Sequence, residues 1–262
     1  MRKIASYFIA LSIVSLSFSL VAPASAKQPV QCPNAAIAND PATPLPRLAS
    51  RLAAQQPIVI VAIGSSSTAG AGASAPDQTY PMQLQRALAK LWPDQKVTVL
   101  NKGINGEDAA DMRKRFARDV FAEHPDLVIW QIGTNYLMRN DGMGSFASMV
   151  SEGLDELRAR GIDVMLMDPQ YAPKVLADPD ADAMVALIGA IARDRHAGVF
   201  RRFELMSDWV RGEELSFADI ITPDGLHMND WSYGCIAQGV ASSINRAAKN
   251  SLIGRADISG GN

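Results

Sequence analysis

The chain has 262 residues, of which 48% are hydrophobic, and a formal net charge of −2. This length and apolar content suit a single domain with one sizeable core. The slightly acidic balance does not resemble the basic footprint of a nucleic-acid-binding protein, and the sequence contains no internal repeat or low-complexity tract.

The N-terminus has the pattern of a secretory signal peptide. Arg2 and Lys3 form a basic start, residues 4–21 form an apolar run, and Ala24-Ser25-Ala26 provides the small residues of a cleavage site. An uncleaved membrane anchor is the alternative, although the apolar run is short for a spanning helix. We predict cleavage of residues 1–26, no stable membrane insertion afterwards, and a periplasmic or secreted protein.

The next segment, residues 27–56, is rich in Pro, Ala and Asn and is predicted to be an extended lead-in with little regular structure. Residues 57–262 are predicted to form the main domain, because apolar runs of strand length alternate there with stretches of helical period. The predicted strands are residues 58–63, 97–100, 127–130, 164–167 and 199–200. Five groups of residues recur at helical spacing: Leu84, Leu88 and Leu91; Met112, Phe116 and Val120; Phe146, Met149, Val150, Gly153, Leu154 and Leu157; Met184, Leu187, Ile188 and Ile191; and Ile236, Val240 and Ile244. This alternation predicts a three-layer α/β/α fold with a five-stranded parallel sheet.

The chain has two cysteines, Cys32 and Cys235. Because an exported protein folds in an oxidising compartment, we predict that they form a disulfide bond. That bond would join the segment after the signal peptide to the last helix. Two separate thiols are the alternative.

Position along the chain separates the three histidines. His124 and His196 each precede a predicted strand, which places them at the amino edge of the sheet. His227, in Asp224-Gly225-Leu226-His227, instead follows the last strand. Ligands of parallel α/β sheets bind beyond the carboxyl ends of the strands. A lone histidine is often only a core or surface residue, but the aspartate three positions earlier favours a role for His227 as a base.

A serine-rich turn, Gly64-Ser65-Ser66-Ser67-Thr68-Ala69-Gly70, follows the first predicted strand. A nucleophile at Ser66 would sit at the tip of a rigid element. Capping a helix is the ordinary role of serine at such a turn, and the two roles are compatible. Serine, histidine and aspartate together form a nucleophile relay. If the two segments meet, the chain is a serine hydrolase.

Two further turns supply candidate hydrogen-bond donors for an oxyanion. Residues 101–106 follow the second predicted strand, and Gly133-Thr134-Asn135 follows the third. Glycine N–H groups and an asparagine amide are suitable donors. Glycine and asparagine are also ordinary turn residues, so either turn alone commonly has no further role. No motif has the spacing of a zinc site, a P-loop or a dinucleotide fingerprint, so we predict no metal and no cofactor.

These blocks, in this order, resemble the SGNH or GDSL-like hydrolase superfamily. The resemblance covers nearly the whole domain and implies a flavodoxin-like sheet and ester hydrolysis without a cofactor. It implies that Ser66 is the nucleophile, with His227 and Asp224 completing the triad. It further implies an oxyanion hole formed by the N–H groups of Ser66 and Gly106 and by the Asn135 amide.

The sequence departs from the superfamily at Ser65 and Tyr136, where aspartate is usual or frequent. Tyr136 and Tyr171 are predicted to bind substrate near the mouth of the site, and packing under loops is the alternative for both. The resemblance, together with the expected export, implies as substrate an O-acyl group, such as acetyl, on an envelope or extracellular carbohydrate. The alternatives are a lipase or arylesterase acting on simple esters, an acyltransferase, and an inactive carbohydrate-binding protein.

Overall fold

Five apolar runs form a single all-parallel sheet in the computed structural model, which describes residue 32 and residues 43–139, 143–212 and 215–259, the last six by their backbone only. The strands are β1 (Ile58–Gly64), β2 (Val97–Gly103), β3 (Leu127–Gln131), β4 (Asp163–Met167) and β5 (Gly198–Phe200). Their order in the sheet is β2-β1-β3-β4-β5. Every residue of β3 is buried, as expected for a central strand that is covered on both faces.

Helices cover the sheet on both faces. The helices are α1 (Pro46–Ala53), α2 (Ser66–Ala69), α3 (Tyr80–Leu91), α4 (Ala109–Lys114), α5 (Phe116–Asp119), α6 (Thr134–Arg139), α7 (Phe146–Arg158), α8 (Pro173–Leu176), α9 (Ala181–Asp194), α10 (Arg202–Arg211), α11 (Phe217–Ile220) and α12 (Asp230–Ser259). α12 packs against α3 and α1, whereas α7 packs against α4 and α9. The two groups are the outer layers of the predicted α/β/α sandwich, so the predicted fold class is confirmed.

The strand order creates the place where a site is expected. The chain moves from β1 outward to β2 and then returns past β1 to form β3 on its other side. The carboxyl ends of β1 and β3 therefore flank a topological switch point, which is the usual ligand crevice of open parallel sheets. The segments that contain Ser66 and Asn135 begin there, directly after β1 and β3.

Three details of the sequence-based prediction are corrected. The predicted lead-in contains helix α1, in which proline occupies a first-turn position that requires no N–H. β2 continues to Gly103, so only residues 104–106 of the second candidate turn lie outside the strand. The helix predicted through Met112, Phe116 and Val120 is divided into α4 and α5 at Arg115, whose side chain is buried.

Cys32 and Cys235 form the predicted disulfide bond, which closes a sequence separation of 203 residues. Residues 1–31 and 33–42, and with them the predicted signal peptide, lie outside the described residues. Among the helices that the structure describes, none has the length and apolar character needed to cross a membrane.

Candidate active site

Two glycines allow the serine turn to sit directly on the sheet. A Cβ atom at Gly64, the last residue of β1, would lie 2.1 Å from Thr68 Oγ1. A Cβ atom at Gly103, its partner at the end of β2, would lie 2.1 Å from the Ala69 nitrogen. Only residues without a side chain let α2 approach the strand ends so closely. Ser66 is the first residue of α2 and is 9% exposed.

Ser66, His227 and Asp224 form a continuous hydrogen-bonded chain. His227 Nε2 lies 2.9 Å from Ser66 Oγ, and His227 Nδ1 lies 2.5 Å from Asp224 Oδ2. The structure therefore brings together two segments that are 161 residues apart in sequence. The His227 side chain is 19% exposed and the Asp224 side chain 44% exposed, so the carboxylate is the most solvent-exposed group of the three.

The loop around Asp224 fixes its carboxylate. Oδ1 accepts hydrogen bonds from the Leu226 N–H at 2.8 Å, the His227 N–H at 3.0 Å and the Thr222 hydroxyl at 2.9 Å. Burial acts to raise the pKa of Asp224, but hydrogen bonds from the backbone and ring of His227, from Leu226 and from Thr222 outweigh it and hold the pKa well below its usual range. Asp224 is therefore ionised at neutral pH.

The same loop is closed by backbone contacts. The Thr222 N–H donates to the His227 carbonyl at 2.8 Å, and Ile221 pairs with Met228 in an isolated antiparallel bridge. Met228 is fully buried, so its side chain anchors the loop in the core. This anchoring holds His227 at the carboxyl edge of the sheet without a strand of its own.

The other two candidate oxyanion donors lie on the segments that follow β2 and β3, the two strands that flank β1 in the sheet. Asn135 lies in the first turn of α6, and its Nδ2 donates to the Glu107 carbonyl at 2.9 Å, which leaves the second amide hydrogen for another acceptor. Gly106 has a φ of +80°, and its carbonyl accepts from Arg139 Nη2 at 2.6 Å. Within the described residues, no acceptor is assigned to the N–H of Ser66 or of Gly106.

A buried arginine supports the loop that contains Gly106. Arg115 Nε donates to the Glu107 carboxylate at 2.7 Å, and its Nη2 donates to the Lys102 carbonyl at 2.8 Å. Its Nη1 contacts Asp119 at 2.8 Å. The guanidinium thereby ties the end of β2 to the loop that Asn135 also contacts. This role could not be predicted, because a buried arginine and a surface arginine look alike in a helical stretch of sequence.

Two glutamines that support the site, Gln131 and Gln170, were not predicted from the sequence. Gln131 ends β3, and its Oε1 accepts from the Ser65 N–H at 2.8 Å and from the Ser65 hydroxyl at 3.0 Å. Gln170 follows β4 and is 1% exposed. Their positions at carboxyl ends of central strands are a signal that could have identified them, since a polar residue there faces the site or its support.

The predicted substrate-binding tyrosines are packed. Tyr136 is 7% exposed, its ring meets Phe146 edge to face, and its hydroxyl lies 3.1 Å from Ser145 Oγ. Tyr171 is also 7% exposed and packs between Phe203 and Phe217. These contacts correspond to the packing alternative, and contact of either tyrosine with a substrate stays a prediction.

The other two histidines lie away from these groups. His124 precedes β3 and His196 precedes β5, both with positive φ in turns at the amino edge of the sheet. Of the three histidines, the structure joins only His227 to Ser66 and Asp224.

Comparison with known proteins gives one family model and several solved structures of similar fold. The model of the Non-GDSL lipase-like family matches residues 31–250. No curated protein sequence matches the chain. A two-domain esterase (CEX) active on acetylated mannans is similar to it with 22% identity and a TM-score of 0.66, over 79% of this chain and 54% of that one. The chain thus spans about half the length of that two-domain protein.

Two smaller proteins are similar over most of their own length. Axe2, an acetylxylan esterase from Geobacillus stearothermophilus, shares 20% identity at a TM-score of 0.61, over 71% of this chain and 94% of that one. TesA shares 22% identity at a TM-score of 0.61, over 72% of this chain and 99% of that one. At these identities the likeness shows a common fold.

Proposed function

Since the chain belongs to the Non-GDSL lipase-like family and is an SGNH/GDSL-like hydrolase, we propose that it is an exported serine esterase that uses Ser66, His227 and Asp224 as its triad. The observation that carries the proposal is the hydrogen-bonded chain from the serine hydroxyl through the imidazole to the carboxylate, at 2.9 and 2.5 Å. Distances of this kind are what proton transfer from a nucleophile to a general base requires.

In the proposed mechanism, His227 Nε2 accepts the proton of Ser66 as Oγ attacks the ester carbonyl. Asp224 keeps the second ring proton on Nδ1 and stabilises the imidazolium that forms. The imidazolium then protonates the leaving alkoxide, and an acyl-serine remains. Water attacks the acyl group with His227 again as base, which releases the carboxylic acid and restores the serine.

The oxyanion of each tetrahedral intermediate is proposed to bind to three donors. These are the N–H groups of Ser66 and Gly106 and the free amide hydrogen of Asn135. The contact with the Glu107 carbonyl holds the Asn135 amide before substrate arrives, and the contact of Arg139 with the Gly106 carbonyl restrains the turn in which the Gly106 N–H lies. Donors that are fixed in advance do not have to reorganise during the reaction, which is why they stabilise the transition state effectively.

For the substrate, we propose an O-acetyl group on an envelope or extracellular carbohydrate. The support is that two of the similar folds belong to esterases of acetylated mannan and xylan. The N-terminal pattern of a signal peptide and the disulfide bond between Cys32 and Cys235 support export. A lipase or arylesterase is the alternative within the same chemistry, and an inactive carbohydrate-binding protein is the alternative without it.

The test compares the wild type with Ser66→Ala and with Ser74→Ala, which changes an exposed serine in the loop after α2. We expect the wild type and Ser74→Ala to release nitrophenol from nitrophenyl acetate, and Ser66→Ala to do so no faster than buffer. A fluorophosphonate probe should label the intact protein, and peptide mapping should place the label on Ser66. Unchanged turnover in Ser66→Ala would refute the assigned nucleophile, and failure of the wild type to label would favour the binding protein.

Substrate class is tested separately. Acetate release is measured from acetylated xylan, acetylated mannan and a short triglyceride at equal ester concentration. We expect release from one or both glycans to exceed release from the glyceride. The reverse order would favour the lipase alternative while leaving the triad unaffected.

A further inference from the structure

A single buried side chain touches all three segments of the candidate site. Gln170 Oε1 accepts from the Thr134 hydroxyl at 3.0 Å and, more distantly, from the Ser67 hydroxyl at 3.4 Å. Its Nε2 donates to the Leu226 carbonyl at 3.2 Å. Each of these partners is the chain neighbour of a functional residue, namely Asn135, Ser66 and His227. Gln170 itself is 1% exposed and so lies beneath the site, away from the substrate.

A buried arginine determines which way the Gln170 amide points. Arg202 is fully buried, its Nε donates to the Asp168 carbonyl at 3.0 Å, and its Nη2 donates to Gln170 Oε1 at 3.0 Å. A guanidinium can only donate hydrogen bonds, so the amide oxygen has to face it. The amide nitrogen must then face the Leu226 carbonyl. The orientation of the glutamine therefore follows from the chemistry of its partners.

The contact with Leu226 acts on the peptide group that carries His227. In that peptide unit the carbonyl belongs to Leu226 and the N–H to His227. Gln170 holds the carbonyl, and Asp224 Oδ1 holds the N–H at 3.0 Å. With both ends of the peptide plane fixed, the direction in which the His227 side chain leaves the backbone is fixed as well.

We propose that Gln170, oriented by Arg202, is a positioning residue that keeps His227 aligned with Ser66 by holding the Leu226 carbonyl. Its contact with the Thr134 hydroxyl also holds the turn that contains Asn135. This inference rests on the proposed serine-esterase function. It assigns no contact with substrate to Gln170. Loss of the contact is expected to lower kcat and to leave KM nearly unchanged, because the substrate-binding surface is not altered.

The experiment uses two variants and a matched control. Gln170→Met keeps the length of the side chain and removes all of its hydrogen bonds. Gln170→Glu keeps acceptors for Thr134 and Arg202 but, when ionised, cannot donate to Leu226. The control is Asp126→Asn, because Asp126 is an equally buried acceptor that joins Arg47, Arg51 and the Val59 N–H at the opposite edge of the sheet.

For each protein we would measure kcat and KM with nitrophenyl acetate, the rate of fluorophosphonate labelling of Ser66, and the melting temperature. A small misplacement of a catalytic group costs on the order of 100-fold in rate. We therefore expect Gln170→Met to lose roughly 10- to 100-fold in kcat and in labelling rate, and Gln170→Glu roughly 10-fold, with KM within about twofold. Asp126→Asn should lower the melting temperature and keep kcat.

The outcomes separate this inference from the proposed function. If the wild type hydrolyses the ester and labels at Ser66 while Gln170→Glu matches it in kcat at a pH well above neutral, the positioning role is wrong, because the ionised carboxylate has no donor for the Leu226 carbonyl. A loss of kcat in Asp126→Asn as large as in Gln170→Met would also overturn it, since general destabilisation would then explain the effect. A wild type that neither hydrolyses nor labels would overturn the proposed function itself. Should Gln170→Met fail to fold, the comparison between Gln170→Glu and the wild type still decides.

Discussion

The substitution Asp224→Asn tests the triad most sharply, because the structure dictates how the new amide must sit. Oδ1 of Asp224 accepts two backbone N–H groups, from Leu226 and His227, and neither can become an acceptor. In the variant, the amide oxygen has to remain at this position. The amide nitrogen then occupies the place of Oδ2, which lies 2.5 Å from His227 Nδ1.

An N–H group at that place reverses the tautomer of the ring. The amide donates to Nδ1, so the ring proton resides on Nε2, which faces Ser66 Oγ at 2.9 Å. A protonated Nε2 cannot accept the serine proton. Locking the imidazole in the wrong tautomer costs about 10⁴-fold in related triads. We expect a loss of roughly 10³- to 10⁴-fold in kcat, equivalent to about 4–5.5 kcal/mol in the barrier.

The assay is the steady-state hydrolysis of nitrophenyl acetate at pH 8, with the melting temperature as a check of folding. Asp219→Asn is the matched control, since that carboxylate caps α11 through Ser216 a few residues earlier in the chain. We expect the control to keep its kcat. The reasoning would be refuted if Asp224→Asn retained more than a tenth of the wild-type kcat while remaining folded.

Three further predictions concern the oxyanion hole, the disulfide bond and a buried carboxyl group. Asn135→Ala should raise the activation free energy by about 3–4 kcal/mol and so lower kcat, with little change in KM. A loss of kcat smaller than fivefold in nitrophenyl acetate hydrolysis would contradict the role of Asn135 as a donor. Replacing Cys32 and Cys235 by serine should lower the free energy of unfolding in urea by up to roughly 5 kcal/mol, because the disulfide bond closes a separation of 203 residues. A variant as stable as the wild type would contradict this prediction. Burial raises the pKa of Asp163 from 3.8 to about 6, so the native state binds its proton more tightly than the unfolded state. Its contribution to stability is fully present below pH 3.8 and is lost as the pH rises through 6, which amounts to about 3 kcal/mol. Between pH 4 and pH 8, the free energy of unfolding of Asp163→Asn should rise relative to that of the wild type by most of this amount, and a pH-independent difference would contradict the assignment.

The sequence was sufficient to predict the fold class and the edge of the sheet at which Ser66 and Asn135 lie, because both follow from topology. A parallel sheet places all carboxyl strand ends at one edge. The residues after β1 and after β3 must therefore gather there, whatever the details of the loops. The loop before α12 has no strand of its own and is held at this edge by the Ile221–Met228 bridge and the buried Met228 side chain. The disulfide bond between Cys32 and Cys235 followed from the expected compartment together with the presence of only two cysteines.

The support beneath the site could not be predicted, because it depends on burial that a sequence does not reveal. Arg201 and Arg202 are adjacent and look equivalent, yet Arg201 is exposed and Arg202 is completely buried and orients Gln170. Arg115 likewise sits in a helical stretch beside Lys114, which is exposed. Adjacent residues of a helix lie on different sides of it, and which side faces the core is known only once the helix is packed.

The two departures from the superfamily pattern are explained by the same local packing. Ser65 replaces an aspartate, and its N–H and hydroxyl both donate to Gln131 Oε1. A carboxylate at this position, where the residue is 1% exposed, would face the amide oxygen without a positive partner. Tyr136 instead of aspartate fills the space against Phe146 and contacts Ser145. Both substitutions therefore have partners suited to them, and neither side chain has a hydrogen bond to Ser66, His227 or Asp224 in the part of the chain that the structure describes. Because Ser65 and Tyr136 each have packing or hydrogen-bond partners that suit them, their difference from the superfamily pattern gives no reason to prefer an inactive binding protein over an esterase.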